Sequence, residues 1–227
     1  MGIKRNLQLV GLFVGTLICG VTSENPAFAA PLTPYEKGLH LRPGLGVGAS
    51  GSAASSDFVP SAGQDLDGVL RGVTLVGELF VEKVVAHRVL LGGVVYAQVM
   101  LAPQLDEVDW AEQDGGDIAF DGTGMLMAGA TASVHFDDGG YITGSAGPIY
   151  WNTLRGEAEE GDVRVPGHSG LGFGILPGIG YEYLGAERSF GVLLQFLMGS
   201  VYAWDGNGTA WNYLPFMPSI AVTMAIH

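Results

Sequence analysis

The final strand-length segment of the chain alternates between two kinds of side chain. Its even positions are all apolar, whereas its odd positions are mostly small or polar. The even set is Leu214, Phe216, Pro218, Ile220, Val222, Met224 and Ile226, and the odd set is Pro215, Met217, Ser219, Ala221, Thr223 and Ala225. Successive side chains of a β-strand point to opposite faces of its sheet, so this period of two predicts a strand with one apolar face.

Earlier segments are also rich in Val, Leu, Ile, aromatic residues and Gly, and polar connections separate them. With the last one they cover residues 39–48, 65–80, 86–102, 122–136, 140–154, 168–183, 188–203 and 212–226. The alternation is clear in 122–136 and 168–183, and it is weak in 65–80 and 86–102, whose faces the pattern does not assign. Helical periodicity is absent, so the chain is predicted to be all-β.

The composition is unusual for a water-soluble sheet protein. Charged residues make up only 15% of the 227 residues, glycine accounts for 37 of them, and the mean hydropathy is +0.31. After the N-terminal segment no stretch reaches the roughly eighteen apolar residues that a membrane-spanning helix needs. A barrel in a membrane explains the composition, because its outer face is apolar and its backbone groups pair between strands.

The N-terminal segment has the features of a secretory signal. Lys4 and Arg5 precede an apolar run at 7–21, and Ala27 and Ala29 stand at the spacing that a signal peptidase recognises. The expected organisation is a signal peptide at 1–29, a periplasmic N-terminal segment at 30–38 and an outer-membrane β-barrel at 39–227. Cys19 lies in the signal and is the single cysteine of the sequence, so no disulfide is expected in the mature chain.

The connections between the predicted strands alternate in length. Those at 49–64, 103–121, 155–167 and 204–211 are long or moderate, whereas those at 81–85, 137–139 and 184–187 are short. An up-and-down barrel places alternate connections on opposite sides of the membrane, and outer-membrane barrels have long outer loops and short periplasmic turns. Eight strands then leave both ends of the chain in the periplasm.

Aromatic side chains concentrate near the predicted strand ends. Beside the long connections lie Tyr150, Trp151, Tyr202, Trp204, Trp211 and Tyr213, and beside the short turns lie Phe136, Tyr141, Tyr181 and Tyr183. Amphipathic rings favour the boundary between lipid and water, so the two groups are predicted to form two aromatic belts.

The signal, the eight amphipathic strands, the alternating connections and the apolar closing strand resemble the small bacterial outer-membrane barrels of the OmpA and OmpX type. The resemblance implies an eight-stranded antiparallel up-and-down transmembrane β-barrel in the bacterial outer membrane. Its surroundings would be lipid and lipopolysaccharide, and a closed ring without open edges implies a monomer. Residues 218–227 are similar to the signal that the barrel-assembly machinery reads, although His227 stands where the family usually has an aromatic residue.

Three side chains are predicted to point into the barrel near its periplasmic end: His40, Arg42 and Glu182. Charges inside a membrane protein need partners, so these residues are expected to form a structural ionic cluster. An eight-stranded barrel is just wide enough for its own side chains or for one small ligand. A filled interior is therefore expected, with a narrow cavity as the alternative.

Asp114, Asp117 and Asp121 lie among glycines in one long connection, and calcium accepts such carboxylate and carbonyl oxygens. Their spacing does not match an EF-hand loop, so a solvated acidic loop without metal is the preferred interpretation. No cofactor is expected. The net charge of −13 argues against a nucleic-acid partner, because phosphate binding relies on clustered basic residues.

Ser133, His135 and Asp137 form a candidate catalytic group, because a serine beside a histidine and a carboxylate can become an activated nucleophile. The alternation aims Ser133 and His135 into the barrel near a periplasmic turn, away from a lipid substrate. Polar interior residues are therefore the preferred interpretation.

These observations leave three hypotheses for the function. The first is a non-enzymatic structural or surface-interaction protein whose barrel anchors acidic extracellular loops, since loops commonly carry binding. The alternative is a narrow channel or a carrier for a small hydrophobic ligand. A lipid-modifying enzyme is the third.

Overall fold

The computed structural model describes residues 38–56, 66–106, 118–158, 164–184, 188–206 and 208–226. The predicted signal peptide and residues 30–37 lie outside these ranges. The strands are β1 (Leu39–Ser56), β2 (Leu66–Ala86), β3 (Val89–Asp106), β4 (Ile118–Phe120), β5 (Thr123–His135), β6 (Gly140–Thr153), β7 (Gly156–Ala158), β8 (Arg164–Val165), β9 (His168–Leu184), β10 (Arg188–Asp205) and β11 (Ala210–Ile226). Among the described residues no helix is long and apolar enough to cross a membrane.

The long strands form a closed ring. In ring order they are β1, β2, β3, β5, β6, β9, β10 and β11, each antiparallel to the next, and β11 pairs with β1. Long strands that follow one another in the chain are neighbours in the ring, which is the up-and-down order. The predicted all-β, eight-stranded antiparallel barrel is confirmed.

Side chains alternate across the wall of the barrel. In β11 the even residues face outward, and Ile220 and Val222 are about half exposed, whereas the odd residues Ser219 and Thr223 are buried inside. β5 and β9 expose the faces that the sequence pattern indicated. The outer wall is therefore apolar, and the polar side chains of these strands point into the barrel.

The structure of β2 shows why the sequence did not reveal which face of this strand points inward. Its inward positions alternate apolar and acidic residues, Val76, Glu78, Phe80 and Glu82, while the outward positions between them are largely apolar as well. With apolar residues on both faces, the period of two is hidden, because alternation is visible only when the two faces differ.

A β-bulge in β3 changes which residues face inward. Met100 and Leu105 are both buried inside although five positions separate them, because the register with β2 shifts between Leu101 and Gln104. Ala102 adopts φ +46°, a left-handed conformation that a residue with a Cβ rarely takes. The extra residue of the bulge reverses the alternation beyond it.

Two predicted connections are shorter than expected. β1 continues to Ser56, and β10 and β11 leave only residues 206–209 between them, so the connection predicted at 204–211 is present but shorter by two residues at each end. Asp205 and Gly208 close this turn: the Thr209 N–H donates to the Asp205 carboxylate at 3.0 Å, and Gly208 has φ +90°. A tight turn held by Asp and Gly lets the strand ladder continue to its end.

Three short strands extend the wall beyond the ring. β4 pairs with β3 and β7, and β7 pairs with β8, so the β5–β6 hairpin continues past the barrel on the side of the long connections. Ile118, Phe120 and Val165 of this extension are buried in the same apolar cluster as the interior of the barrel. The extension therefore packs against the loop-side end of the interior.

Candidate functional site in the barrel interior

Arg42 is the centre of an ionic cluster near the short-turn end. One guanidinium nitrogen lies 3.2 Å from the Glu82 carboxylate and another lies 3.5 Å from the Glu182 carboxylate. The guanidinium also stands over the rings of Phe80 and Tyr141, with its carbon 4.3 and 4.6 Å from the two ring centres. All these side chains are at most 2% exposed. Paired carboxylates and ring faces replace the water that Arg42 has lost.

The structure brings two of the three residues predicted for this cluster into direct contact, Arg42 and Glu182. The third, His40, is 4% exposed and lies opposite Glu82 in the pairing of β1 with β2. Sequence analysis missed Glu78 and Glu82. A usable signal was present, because two glutamates four positions apart share one face of a strand, and carboxylates in an apolar stretch favour the inner face.

A row of hydroxyl groups extends from the cluster along β5 and β6. The Ser133 hydroxyl donates to Glu82 at 2.5 Å, its oxygen lies 3.0 Å from the Thr143 hydroxyl oxygen, and Ser145 donates to Thr131 at 2.9 Å. These bonds stabilise the inner wall and satisfy groups that would otherwise be buried without a partner.

The candidate catalytic residues Ser133, His135 and Asp137 do not form a triad. The hydroxyl of Ser133 is directed to Glu82, and the His135 ring stacks on Tyr141 with a centroid distance of 4.9 Å. Asp137 lies in the exposed turn after β5, where it forms an ion pair with Arg88 at 2.5 Å.

An apolar layer crosses the middle of the interior. Its side chains come from six of the ring strands and are each at most 3% exposed: Val76, Tyr96, Met127, Leu176, Leu197 and Met217. A cavity beside this layer is lined by Gln98, Met100, Thr123, Gly124, Met125, Trp151 and Met217, and it has space for about one water molecule.

Aromatic rings fill the loop-side end. Trp211 stacks on His168 at 4.5 Å between ring centres, and Trp151 stacks on Tyr213 at 4.8 Å. The His168 Nε2 atom is hydrogen-bonded to the Tyr213 hydroxyl, and its Nδ1 atom lies 3.2 Å from the Pro166 carbonyl oxygen. Phe120 of the extension meets His168 edge to face.

The two predicted aromatic belts need a correction. Trp151, Trp211, Tyr213 and Tyr141 are at most 1% exposed and point into the barrel, so their predicted position at the lipid boundary is wrong. The alternation is the reason: a residue's place near a strand end does not decide which face it occupies. The other proposed belt residues face outward and are about half exposed: Tyr150, Tyr202, Trp204, Phe136, Tyr181 and Tyr183. Their contact with the membrane boundary stays a prediction.

The predicted calcium ligands are only partly described. Asp114 and Asp117 lie outside the described residues. Asp121 is exposed, and its backbone N–H donates to the Arg155 carbonyl oxygen at 2.8 Å. Within the part of the chain that the structure describes, no group of three or more His, Cys, Asp or Glu side chains is arranged to hold a metal ion.

The closed ring, its apolar outer wall and its polar interior define a transmembrane β-barrel of the outer-membrane type. This architecture places the protein in the bacterial outer membrane.

Solved structures of similar fold are outer-membrane proteins. The chain is similar to the attachment invasion locus protein Ail of Yersinia pestis, with 12% identity, 81% of this chain and 98% of that chain covered, and a TM-score of 0.36. It is also similar to the outer membrane protease OmpT of Escherichia coli (10%, 81% and 96%, TM-score 0.41) and to Neisserial surface protein A (12%, 83% and 96%, TM-score 0.32). At these identities the likeness concerns the fold alone. No protein-family model and no curated protein matches the chain.

Proposed function

We propose that this protein is a non-conducting, non-enzymatic outer-membrane barrel with a structural or surface-interaction role, and that it holds acidic loops outside the cell. The observation that carries the proposal is the filled interior. From the short-turn end to the loop end it contains an ionic layer around Arg42, an apolar layer around Leu197 and an aromatic layer around Trp211, whose side chains are nearly all buried. Barrels of eight strands have room for little else.

The alternative of a channel or hydrophobic carrier requires these three layers to move. An ion or solute would have to separate the Arg42 pairs, displace the apolar layer and open the aromatic stack in series. The cavity beside Met217 has space for about one water molecule, which is too little for an organic ligand without rearrangement. The filled interior therefore favours the anchoring role.

The proposed partners follow from the outer surface. The half-exposed apolar wall suits outer-membrane lipid and lipopolysaccharide, and the closing strand β11, with its alternating outer face, suits recognition by the barrel-assembly machinery. Both edges of every ring strand are paired, which favours a monomer.

Planar-bilayer recording tests the filled interior. The wild-type barrel is expected to insert without producing channel openings. A variant carrying Arg42→Gly, Leu197→Gly and Trp211→Gly, which removes one large side chain from each of the three layers, serves as the control and is expected to give small openings. Openings of the wild-type protein in repeated insertions would contradict the proposal and favour the channel.

Cysteine labelling tests which end faces the cell exterior. Nothing lies within 4 Å of the position that a Cβ on Gly206 would occupy, so Gly206→Cys fits the β10–β11 turn. A membrane-impermeant maleimide is expected to label this variant in intact cells, whereas Asp138→Cys, in the exposed turn between β5 and β6, reacts only after the outer membrane is opened. The reverse pattern would show that the barrel is inserted the other way round.

A further inference from the structure

We propose that the barrel binds one small monovalent cation, of the sodium class, at Glu78 on its inner wall. The site goes beyond the proposed anchoring role and stands or falls independently of it. Four observations carry the assignment: the charge balance of the interior, two unpartnered oxygen atoms, a wall position without a side chain, and the kind of ligand atoms present.

The charges around Arg42 do not balance. The cluster contains three buried carboxylates, those of Glu78, Glu82 and Glu182, and one buried guanidinium, that of Arg42. Arg42 is ion-paired with Glu82 and Glu182, while no basic side chain of the described residues lies within ion-pair distance of Glu78. The two histidines of this end lie elsewhere in the cluster, His40 opposite Glu82 and His135 on the Tyr141 ring. Arg42 acts on Glu78 only from beyond ion-pair distance, and a buried carboxylate without a close counter-charge is costly, so Glu78 favours a second cation or must become neutral.

In the hydrogen-bonded pair of Glu78 and Gln195, two acceptor oxygens receive no hydrogen bond from the described residues. The Gln195 amide donates from Nε2 to Oε2 of Glu78 at 2.5 Å, which leaves Glu78 Oε1 and Gln195 Oε1 without hydrogen-bond partners among the described residues. Glu78 is 6% exposed and Gln195 is fully buried, so bulk water does not satisfy these oxygens. Buried polar atoms are nearly always partnered, and a bound cation satisfies two acceptors at once.

The wall beside Glu78 carries a glycine, and the Glu78 side chain occupies the space that a side chain at this position would take. Gly44 of β1 pairs with Glu78 of β2 on one side and with Thr223 of β11 on the other. A Cβ on Gly44 would lie 2.5 Å from Glu78 Oε1, so a larger residue here would displace the carboxylate from its present position. Thr223, whose backbone pairs with Gly44, is also buried and carries a neutral hydroxyl oxygen.

The ligand atoms favour a monovalent ion. They are oxygens, which suit hard cations, and Glu78 is the one of the three carboxylates that is not in ion-pair contact with Arg42. Calcium takes six to eight oxygens at a site and usually several carboxylates, and this wall does not present such a set. One carboxylate with neutral amide and hydroxyl oxygens matches the charge and size of sodium.

Urea unfolding of the folded mature barrel in detergent micelles tests the site. The titration replaces N-methylglucamine chloride with sodium chloride at constant ionic strength and follows tryptophan fluorescence. Because the ion binds the folded state, the unfolding constant is expected to fall about tenfold for each tenfold rise in sodium above the dissociation constant. No difference between the two salts would overturn the proposal, and so would stabilisation by calcium with none by sodium.

Two variants locate the effect. Glu78→Gln is expected to abolish the sodium dependence. Glu182→Gln makes the same charge change at a carboxylate that Arg42 already holds, and it is expected to keep the dependence even if the barrel is less stable. Sodium dependence that survives Glu78→Gln would overturn the assignment. If Glu78→Gln does not fold, the wild-type titration still decides, because a Glu78 made neutral by a proton gives no sodium dependence.

Discussion

Replacing Arg42 with methionine is expected to lower the free energy of unfolding by about 3–5 kcal/mol, because removing one partner of a buried ion pair leaves charge without compensation. Arg42 is 2% exposed and is the counter-charge of Glu82 and Glu182. Methionine keeps much of the volume between Phe80 and Tyr141, so the loss reports mainly the missing charge. Urea unfolding of the refolded barrel in micelles measures it.

Arg71→Met is the matched control. Arg71 also forms an ion pair, with Asp106 at 3.1 Å, but its side chain is about half exposed on the outside of the barrel. Its loss is expected to cost about 1 kcal/mol or less. Adding Glu82→Gln and Glu182→Gln to Arg42→Met is expected to restore much of the stability. Equal losses for Arg42→Met and Arg71→Met would contradict the central place of Arg42 in the interior.

Replacing Ile220 with arginine is expected to cost about 2–4 kcal/mol in a bilayer, the penalty of a cation on the lipid face near the membrane midplane. Ile220 is 50% exposed on the outer face of β11 and pairs with the outward residues Val47 and Leu194 of the neighbouring strands. The measurement is reversible folding into lipid vesicles, followed by the difference in gel migration between unheated and boiled samples.

Asn212→Arg is the control for Ile220→Arg. Asn212 lies on the same outer face of the same strand, near its loop-side end, where the cost is expected to be about 0–1 kcal/mol. If Ile220→Arg left the stability of the folded barrel unchanged or increased it, residue 220 would behave as a water-exposed position. That result would contradict a lipid-facing wall at the level of Ile220.

The period of two predicted which residues form the outer wall of the barrel in those strands whose two faces differ in polarity. In β11 the even residues from Leu214 to Ile226 face outward as the pattern indicated. The same parity places Trp211 and Tyr213 inside, so the alternation of β11 contained the correction to the aromatic belts. The belts were inferred from distance along the chain to a loop, which carries no information about the face.

The ionic cluster was only partly accessible from the sequence. Arg42 and Glu182 could be placed inside because neighbouring positions of β1 and β9 are clearly apolar or glycine. Glu78 and Glu82 could not, because β2 has apolar residues on both faces. The partnership of Arg42 with Glu182 joins residues 140 positions apart, and no local pattern encodes such a contact.

The sequence by itself determined that this chain forms strands, how many of them close the ring, and which residues face out in the clearly amphipathic ones. These properties depend on the period of two and on turn residues, which act within a few positions. Only the tertiary structure decided which inward side chains meet, namely Arg42 with Glu82 and Glu182, Glu78 with Gln195, and His168 with Trp211. The physical reason is that the closure of the barrel, the stagger between its strands and bulges such as that at Ala102 set the position of each strand along the barrel axis. That position decides which inward side chains lie at the same level and can contact one another.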